Sequence, residues 1–475
     1  MNLFSTLTSN LDLEAAFLDT PSATWSFGEV LDLSARMAGS LRSAGVEPGD
    51  RVVVVLPKSA HAVAVYLACL RIGAIYVPLN PAYTATEISF FISDADPRVV
   101  VAENELPDAP TLTMGPTGAG SLLGVAGTFA GTVARTDSDV AAILYTSGTT
   151  GRSKGAMLTH GCLTDNARTL FDIWRWQPDD VLLHALPIFH VHGLFVALHC
   201  ALLGGSRVIF LEQFEVAAVR DRLSTATVMM GVPTYYTRLL SDPEFGTDDC
   251  TTMRLFISGS APLSEATFDA FKARTNHTIL ERYGMTEAGM ICSNPYDGDR
   301  LAGTVGFPLP GYVVRLTDEA DQLVALGAVG ILQIQGPSLF SGYWELPDQT
   351  NAAYAADGFF RTGDLARADA EGRISLLGRS HDLIVTGGFN VYPKEIETVL
   401  NGVIGVSETA VVGVPDDDLG EIAVAFVVGD CAEEDLRKEA ETHLARYKQP
   451  RRYMFLDAIP RNAMGKVQKS HLPSQ

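Results

Sequence analysis

The sequence has few basic residues for its length, and this deficit excludes a large class of proteins. Its 475 residues include 35 Lys and Arg against 56 Asp and Glu, which gives a formal net charge of -21. Because proteins that bind nucleic acids carry an excess of positive charge on the binding surface, we expect no nucleic acid among the partners. Any anionic substrate must then be held by local cations that work against the overall field.

Paired cysteines and long apolar runs are also absent from the sequence. The six cysteines lie far apart, and no C-x-x-C pair occurs. This pattern predicts reduced thiols in a cytoplasmic protein. No window reaches about 18 consecutive apolar residues, which predicts that no segment spans a membrane. The N-terminus lacks the basic flank and apolar run of a signal peptide.

Short β-branched runs alternate with helix-length segments through the first 300 residues. The runs at 51–57, 74–80 and 97–103 each end in Pro, Asn or a charged residue, and a segment with helical spacing separates the first two. This rhythm predicts βαβ units in a parallel sheet, and it returns between residues 206 and 260. We therefore expect an α/β fold with a large N-terminal domain of parallel βαβ layers.

The pattern changes after about residue 300. Apolar and polar residues alternate across 311–336 between turns, which predicts an antiparallel sheet or a small β-barrel. The last hundred residues add further strand patterns and a charged helix near 433–447. We divide the chain into an N-terminal domain of residues 1–378 and a small α+β domain of residues 379–475.

A loop rich in Gly, Ser and Thr lies within the stretch ILYTSGTTGRSKGAML, Ile143 to Leu158. Backbone N–H groups and hydroxyls in such a loop can approach phosphate oxygens closely. The pattern G-x-x-x-x-G-K-[ST] does not fit, because Ser153 stands where the second Gly should follow Gly148. The loop thus predicts a phosphate site, but it disfavours a kinase or a P-loop ATPase.

Three separated stretches resemble one family. They are YTSGTTGRSKG at 145–155, ERYGMTE at 281–287 with RTGDL at 361–365, and PRNAMGKVQK at 460–469. They are similar to the motifs of adenylate-forming enzymes, which include acyl-CoA synthetases, peptide-synthetase adenylation domains and luciferases. The resemblance covers nearly the whole chain and implies that a substrate carboxylate attacks the α-phosphorus of ATP. Pyrophosphate then leaves, and a thiol such as that of CoA displaces AMP.

The resemblance also implies roles for particular residues. Asp364 would bind the ribose hydroxyls, Arg379 would lie near ribose and phosphate, and the hard cation Mg²⁺ would be held by Glu287. Metal-binding residues would be Glu287 and Thr146, and catalytic residues would be Lys466, Thr286, Glu287 and His190. Further nucleotide-binding positions would be Thr146, Ser147, Gly148, Thr149, Thr150, Gly151 and Lys154 in the loop, with Gly259, Ser260, Ala261, Glu281, Tyr283, Gly284, Met285 and Thr286.

The C-terminal domain has a second role in this resemblance. Lys466 matches the lysine that reaches the carboxylate and the α-phosphate, and the family turns its mobile small domain between the two half-reactions. The stretch TGGFN at 386–390 would then face the thiol, with Gly387 and Gly388 letting pantetheine pass close to the backbone. Either His381 or Asp382 would be the pivot.

Within the family, the stretches HALPIFHVHGLF, MGVPTYYTRLL and SNPYDGDR resemble the branch that activates malonate. A dicarboxylate keeps one carboxylate that must be neutralised in the pocket, because an unpaired buried charge costs several kcal/mol. We expect Arg238 and Arg282 to bind it. The alternatives are a solvated helix-surface charge for Arg238, and a nucleotide contact or a salt bridge to Glu281 for Arg282.

The motif FHVHG places His190 and His192 two residues apart. This spacing, without further ligands nearby, disfavours a zinc site. Because the family usually has an aromatic residue or His beside the acyl pocket here, His190 is expected to contact the substrate.

Other functions stay open at this point. The segment Ala288–Ile291 replaces the polar Thr-Asn-Met-Asn pattern expected beside the acyl site, so the acid could be methylmalonate or another short carboxylic acid. The acceptor could be a carrier protein instead of CoA. A silent adenylate-binding protein is a further alternative, against which the intact Lys154, Glu287, Asp364 and Lys466 argue. We expect a monomer or a homodimer.

Overall fold

The computed structural model describes residues 1–115, 117–124, 127–146, 153–386, 389–416, 419–462 and 465–473. The helices are α1 Leu3–Thr8, α2 Phe27–Ser43, α3 Ala60–Ile72, α4 Ala85–Ala95, α5 Ser121–Gly124, α6 His160–Ile173, α7 His199–Gly204, α8 Val216–Leu223, α9 Pro233–Ser241, α10 Glu265–Thr275, α11 Pro347–Ala352, α12 Pro393–Leu400 and α13 Glu433–His443.

The strands up to residue 308 are β1 Ala16–Asp19, β2 Thr24–Ser26, β3 Arg51–Val55, β4 Ile75–Pro78, β5 Val99–Ala102, β6 Thr111–Thr113, β7 Val140–Thr146, β8 Lys154–Thr159, β9 Val181–His184, β10 Arg207–Phe210, β11 Val228–Gly231, β12 Leu255–Ser258, β13 Leu280–Met285, β14 Gly289–Ser293 and β15 Phe307–Pro308. The later strands are β16 Val313–Thr317, β17 Gly330–Gln335, β18 Phe360–Ala368, β19 Ile374–Arg379, β20 Ile384–Thr386, β21 Phe389–Val391, β22 Val406–Asp416, β23 Gly420–Gly429 and β24 Arg452–Phe455.

The first sheet confirms the predicted βαβ units. Its order is β6-β5-β3-β4-β7-β8, and β3 pairs in parallel with both β4 and β5. Helix α3 lies between β3 and β4 in the chain, is buried along its whole length and ends at Gly73 in the left-handed conformation. Strands β7 and β8 pair antiparallel, with Thr146 opposite Lys154, so they flank the Gly/Ser/Thr loop.

The second sheet carries strand ends that face one cleft. Its order is β15-β14-β13-β12-β11-β9-β10-β1-β2, and β9 to β13 are parallel neighbours. Strands β11, β12 and β13 therefore end on the same edge, at Gly231, Ser258 and Met285. Ligands of parallel α/β sheets bind outside the carboxyl ends of the strands, which makes this edge the expected place for a site.

Two smaller units follow. Strands β16 to β19 pair antiparallel in sequence order, so of the two forms that the alternation across 311–336 predicts, the structure has the sheet. Strands β20 to β24 form a mixed sheet that packs α12 and α13 around its own apolar core, which confirms the predicted small α+β domain. The boundary between residues 378 and 379 stays a prediction. In the described parts of the chain, every helix is too short or too polar to cross a membrane.

A buried ion pair joins the edges of β9 and β12. Asp180 is 2% exposed, and its Oδ1 accepts hydrogen bonds from Arg254 Nε and Thr227 Oγ1, each at 2.7 Å. Arg254 also donates to Asp180 Oδ2 and to the carbonyl of Trp174. Removal of the arginine would leave the aspartate buried without a counter-charge.

We therefore expect the substitution Arg254→Met to destabilise the N-terminal domain by about 3 kcal/mol, the usual cost of breaking a buried pair. The measurement is the urea concentration at the midpoint of unfolding. The matched control is Arg437→Met, which breaks an exposed pair with Glu433 on α13 and should cost less than about 1 kcal/mol. Equal shifts for the two variants would contradict the prediction.

Candidate active site

A network of three side chains occupies the side of the cleft where the resemblance places the ribose. The Tyr283 hydroxyl donates to Asp364 Oδ2, and Arg379 Nε donates to Asp364 Oδ1 at 2.9 Å. Arg379 also donates to the carbonyl of Thr362 at 3.1 Å. Burial, and then the Asp364 carboxylate, raise the pKa of Tyr283, so the phenol stays protonated and remains a donor. The two donors thus fix the orientation of the Asp364 carboxyl group.

Glu287 lies in the turn between β13 and β14 together with Thr286. It is 6% exposed, and its Oε1 accepts a hydrogen bond of 3.0 Å from the Tyr343 hydroxyl. Burial raises the pKa of Glu287 above its ordinary value. On the other side of the same tyrosine, Lys154 Nζ lies 5.0 Å from the ring centroid. Tyr343, which the sequence did not single out, therefore connects two residues of the predicted phosphate site.

The Glu287 carboxylate suits a hard cation that takes most of its other ligands from water and from the substrate. The described residues contain no cluster of three or more His, Cys, Asp and Glu side chains able to hold a metal by themselves. Mg²⁺ is typically bound by one or two carboxylates together with phosphate oxygens and water. The residues present fit such an ion, with Glu287 as its carboxylate.

Lys466 lies on a loop of the C-terminal domain that packs against the start of α9. A Cβ added at Gly465 would lie 3.0 Å from Thr234 Oγ1 and 3.7 Å from Val232 Cγ2. The pKa of Lys466 is lowered, first because neighbouring protein atoms displace water and then because Arg379 is near. Asp364 and Glu287 also act on Lys466, in the opposite direction, although the residue keeps access to solvent. The structure therefore brings Lys466 to the residues predicted to bind ATP.

Arg282 is the unusual residue of the acyl side. It lies on β13, is 3% exposed, and its Nε and Nη2 atoms have no hydrogen-bond partner among the residues that the structure describes. Burial lowers its pKa to about 10, so the guanidinium is charged at neutral pH. The predicted alternative of a salt bridge to Glu281 is wrong, because Glu281 Oε1 accepts from the backbone N–H of Leu263 at 3.2 Å and its Oε2 has no partner among the described residues.

The guanidinium of Arg282 packs on the backbone at the end of β12. A Cβ at Gly259 would come within 2.5 Å of Arg282 Cζ, so a side chain at this position would displace the guanidinium. A similar limit holds at Gly284, where a Cβ would lie 2.2 Å from the carbonyl oxygen of Gly289. These two close contacts explain why the sequence has glycine at both positions.

Of the two histidines of the FHVHG motif, His192 lies beside this arginine and its turn. The ring of His190 lies 4.7 Å from that of Phe189 between centroids, tilted by 50°, and burial lowers the pKa of His190 to about 4. His192 begins a π-helical segment, His192–Leu198, and its Nδ1 lies 3.2 Å from Ser260 Oγ. The family resemblance predicts a substrate contact for His190 and no role for His192. The i, i+2 spacing in one motif was the only signal for it.

The other predicted site residues have fewer contacts that bear on their predicted roles. Arg238 is exposed on α9, as the surface-charge alternative implies, and its role in substrate binding stays a prediction. Thr146 Oγ1 donates to the carbonyl of Lys154 at 3.4 Å, while Ala261 and Met285 are partly buried. The remaining predicted positions lie outside the described residues, and they are Ser147, Gly148, Thr149, Thr150, Gly151, Gly387 and Gly388.

Comparison with known proteins agrees with this arrangement. The family model for AMP-binding enzyme matches residues 9–344, and the model for AMP-binding enzyme C-terminal domain matches residues 395–466. A malonate–CoA ligase of Arabidopsis thaliana is 35% identical over 89% of this chain and 79% of its own length. The long-chain-fatty-acid–CoA ligase FadD13 of Mycobacterium tuberculosis is 33% identical over 98% of this chain and 95% of its own length.

A solved structure shows the same fold. ATP-bound MatB from Rhodopseudomonas palustris is 46% identical, with a TM-score of 0.96 over 99% of this chain and 98% of that chain. The family matches and these relatives span both the large domain and the small domain that carries Lys466. The chain therefore belongs to the AMP-binding enzyme family and is an adenylate-forming acyl-CoA ligase.

Proposed function

We propose that this enzyme activates malonate, and also methylmalonate, with ATP and transfers the acyl group to CoA. The products are malonyl-CoA, AMP and pyrophosphate. The observation that carries the proposal is the Arg282 guanidinium, which is buried and charged while two of its nitrogens lack partners among the described residues. The relative from Arabidopsis thaliana whose printed name is malonate–CoA ligase supports the same acid.

Arg282 lacks a counter-ion among the described residues. A buried cation without a counter-ion is costly, and a carboxylate placed against it supplies both charge and hydrogen-bond acceptors. Malonate has one carboxylate to react and a second to pair with Arg282. An acid with an alkyl tail would leave the guanidinium unpaired, so it should be a poor substrate. One added methyl group changes binding by only about 1–3 kcal/mol, which is why we include methylmalonate.

For the first half-reaction we assign roles to the residues at the cleft. Asp364 accepts hydrogen bonds from the ribose hydroxyls of ATP, while Arg379, already beside Asp364, balances its charge. Lys466 approaches from the small domain and places its ammonium group where the attacking carboxylate and the α-phosphate both carry negative charge. Lys154 and the Gly/Ser/Thr loop hold the pyrophosphate that leaves.

Glu287, with Thr146, would hold Mg²⁺, which offsets the charge of the phosphates when it is bound. The Tyr343 hydroxyl fixes one oxygen of Glu287 and so orients the carboxylate. His190, whose low pKa keeps the imidazole neutral, lines the acyl side without adding charge.

The second half-reaction and the surroundings of the enzyme rest on the family resemblance. We propose that the small domain turns about His381 or Asp382, after which Gly387 and Gly388 face the thiol of CoA. Gly259, Ser260, Ala261, Glu281, Tyr283, Gly284 and Met285 form the nucleotide side in this proposal. We place the enzyme in the cytoplasm, as a monomer or a homodimer.

The charge of Arg282 can be tested by substitution. We expect Arg282→Met to lower kcat/KM for malonate about 100-fold or more, since two or more charge-assisted hydrogen bonds are lost. The loss should be smaller for acetate, which has no second carboxylate. The measurement is pyrophosphate release from ATP with malonate, methylmalonate, succinate or acetate, each with and without CoA.

The control is Arg282→Lys, which keeps the charge and should retain part of the malonate activity. Equal losses with malonate and acetate would mean that Arg282 supports the fold or the nucleotide. Preference of the unmodified enzyme for acetate or a longer monocarboxylate, such as the long-chain acid in the name of FadD13, would overturn the proposed substrate.

The role of Lys466 can be separated into the two half-reactions. We expect Lys466→Ala to reduce malonate-dependent pyrophosphate release at least about 100-fold, because it removes the cation from the attacking centre. Thioester formation from added malonyl-adenylate and CoA should continue at close to the unmodified rate. Lys438→Ala, at an exposed position on α13, is the matched control and should change neither rate. Loss of both half-reactions in Lys466→Ala would contradict the assignment.

A further inference from the structure

We infer that His192 determines specificity together with Arg282, by donating a hydrogen bond from Nε2 to the second carboxylate of the substrate. The inference rests on the proposed function and deepens it, because it adds a neutral donor to a pocket that otherwise depends on one charge. Its basis is the placement of His192 in the structure.

His192 and Arg282 contact neighbouring residues of one turn. Nδ1 of His192 lies 3.2 Å from Ser260 Oγ, and the guanidinium of Arg282 packs on Gly259. Ser260 has a φ of +71°, a left-handed conformation that is uncommon for a residue with a side chain. The turn after β12 thus places a histidine and an arginine, both at most 3% exposed, beside each other.

The backbone that carries His192 is held by a relay from the first sheet. Lys58 Nζ lies 2.8 Å from His184 Nδ1 and 2.9 Å from the His184 carbonyl oxygen. Burial lowers the pKa of His184, so its ring is neutral, and a carbonyl oxygen beside Nε2 can only accept; the ring proton therefore lies on Nε2, and Nδ1 accepts from Lys58. Nε2 then donates to the carbonyl of Gly193, the residue after His192, at 2.9 Å.

Close packing restricts the same segment further. A Cβ at Gly193 would lie 2.1 Å from the carbonyl oxygen of Pro187, so the chain has no space to shift there. Lys58 also donates to the carbonyl of Leu211 at 2.6 Å, which ties the relay to the end of β10. His192 is therefore held in place by its backbone as well as by Ser260.

The unsatisfied atom of His192 is the one that a carboxylate would satisfy. Nε2 is buried and has no hydrogen-bond partner among the described residues, as is the case for Nε and Nη2 of Arg282. We assign the Ser260 hydroxyl as donor to Nδ1, which puts the ring proton on Nε2. Burial and the nearby Arg282 lower the pKa of His192, so the ring is neutral when the site is empty. A buried donor without an acceptor is unfavourable, and a carboxylate oxygen removes that cost.

The experiment compares malonate with monomethyl malonate, in which the second carboxylate is replaced by a neutral ester of nearly the same length. In the full-length enzyme, we expect His192→Phe to lower kcat/KM for malonate about 10- to 100-fold, as for loss of a hydrogen bond to a charged group. Monomethyl malonate should change by less than about 3-fold, and the KM for ATP should stay unchanged. His192→Gln, which offers an amide donor near the position of Nε2, should recover much of the malonate activity.

Each result separates this inference from the proposed function. Equal losses with both acids, or a raised KM for ATP, would show that His192 supports the turn or the nucleotide, and would overturn the inference. Failure of His192→Gln to improve on His192→Phe would overturn it as well. If the unmodified enzyme prefers monomethyl malonate to malonate, the proposed function itself fails, whatever the variants do.

Discussion

The cost of keeping charged groups away from water constrains the interior of this fold. Asp180 is buried against Arg254, Asp364 is held by Tyr283 and Arg379, and the ammonium group of Lys58 lies among two carbonyls and an imidazole. In each case the fold supplies the partners from distant segments, because a buried charge without them would destabilise it. Arg282 departs from this rule on β13, where Nε and Nη2 have no hydrogen-bond partner among the described residues. In the proposed function, a substrate carboxylate supplies the missing partner.

Sequence patterns predicted the parts of the fold that depend on neighbours in the chain. The βαβ units follow from β-branched runs ended by turns, and Lys466 and Glu287 follow from motifs that extend over a few residues. Contacts between residues far apart in the chain could not be predicted in this way. Tyr343 is 56 residues from Glu287, and His192 is 68 residues from Ser260. Such pairs are set by how the layers pack.

The exposure of Arg238, unlike these long-range pairs, can be predicted from the helical spacing of apolar residues in the sequence. The buried positions of α9 are Pro233, Tyr236 and Leu239, at intervals of three residues, and Arg238 falls between the last two on the exposed face. The family resemblance predicts that Arg238 binds the substrate, whereas the helical spacing of the apolar residues predicts that it lies on the surface.

Overall sequence identity does not distinguish the acids that the relatives are named for, since ligases named for malonate and for long-chain fatty acids match this chain at 35% and 33%. The acid must be determined by a few pocket side chains.

The pairing of Asp364 with Arg379 has a consequence for the coupling of the two halves of the reaction. The two residues face each other across β18 and β19, and Arg379 is the last residue before the segment that leads into the small domain. If ribose hydroxyls engage Asp364, they alter the hold on Arg379 and therefore the orientations open to that domain. Linkage is reciprocal, so a turn of the small domain must change nucleotide affinity by the same factor by which the nucleotide biases the turn. If the small domain turns as proposed, release of AMP and that turn belong to one thermodynamic cycle, which passes through the pairing of Asp364 with Arg379.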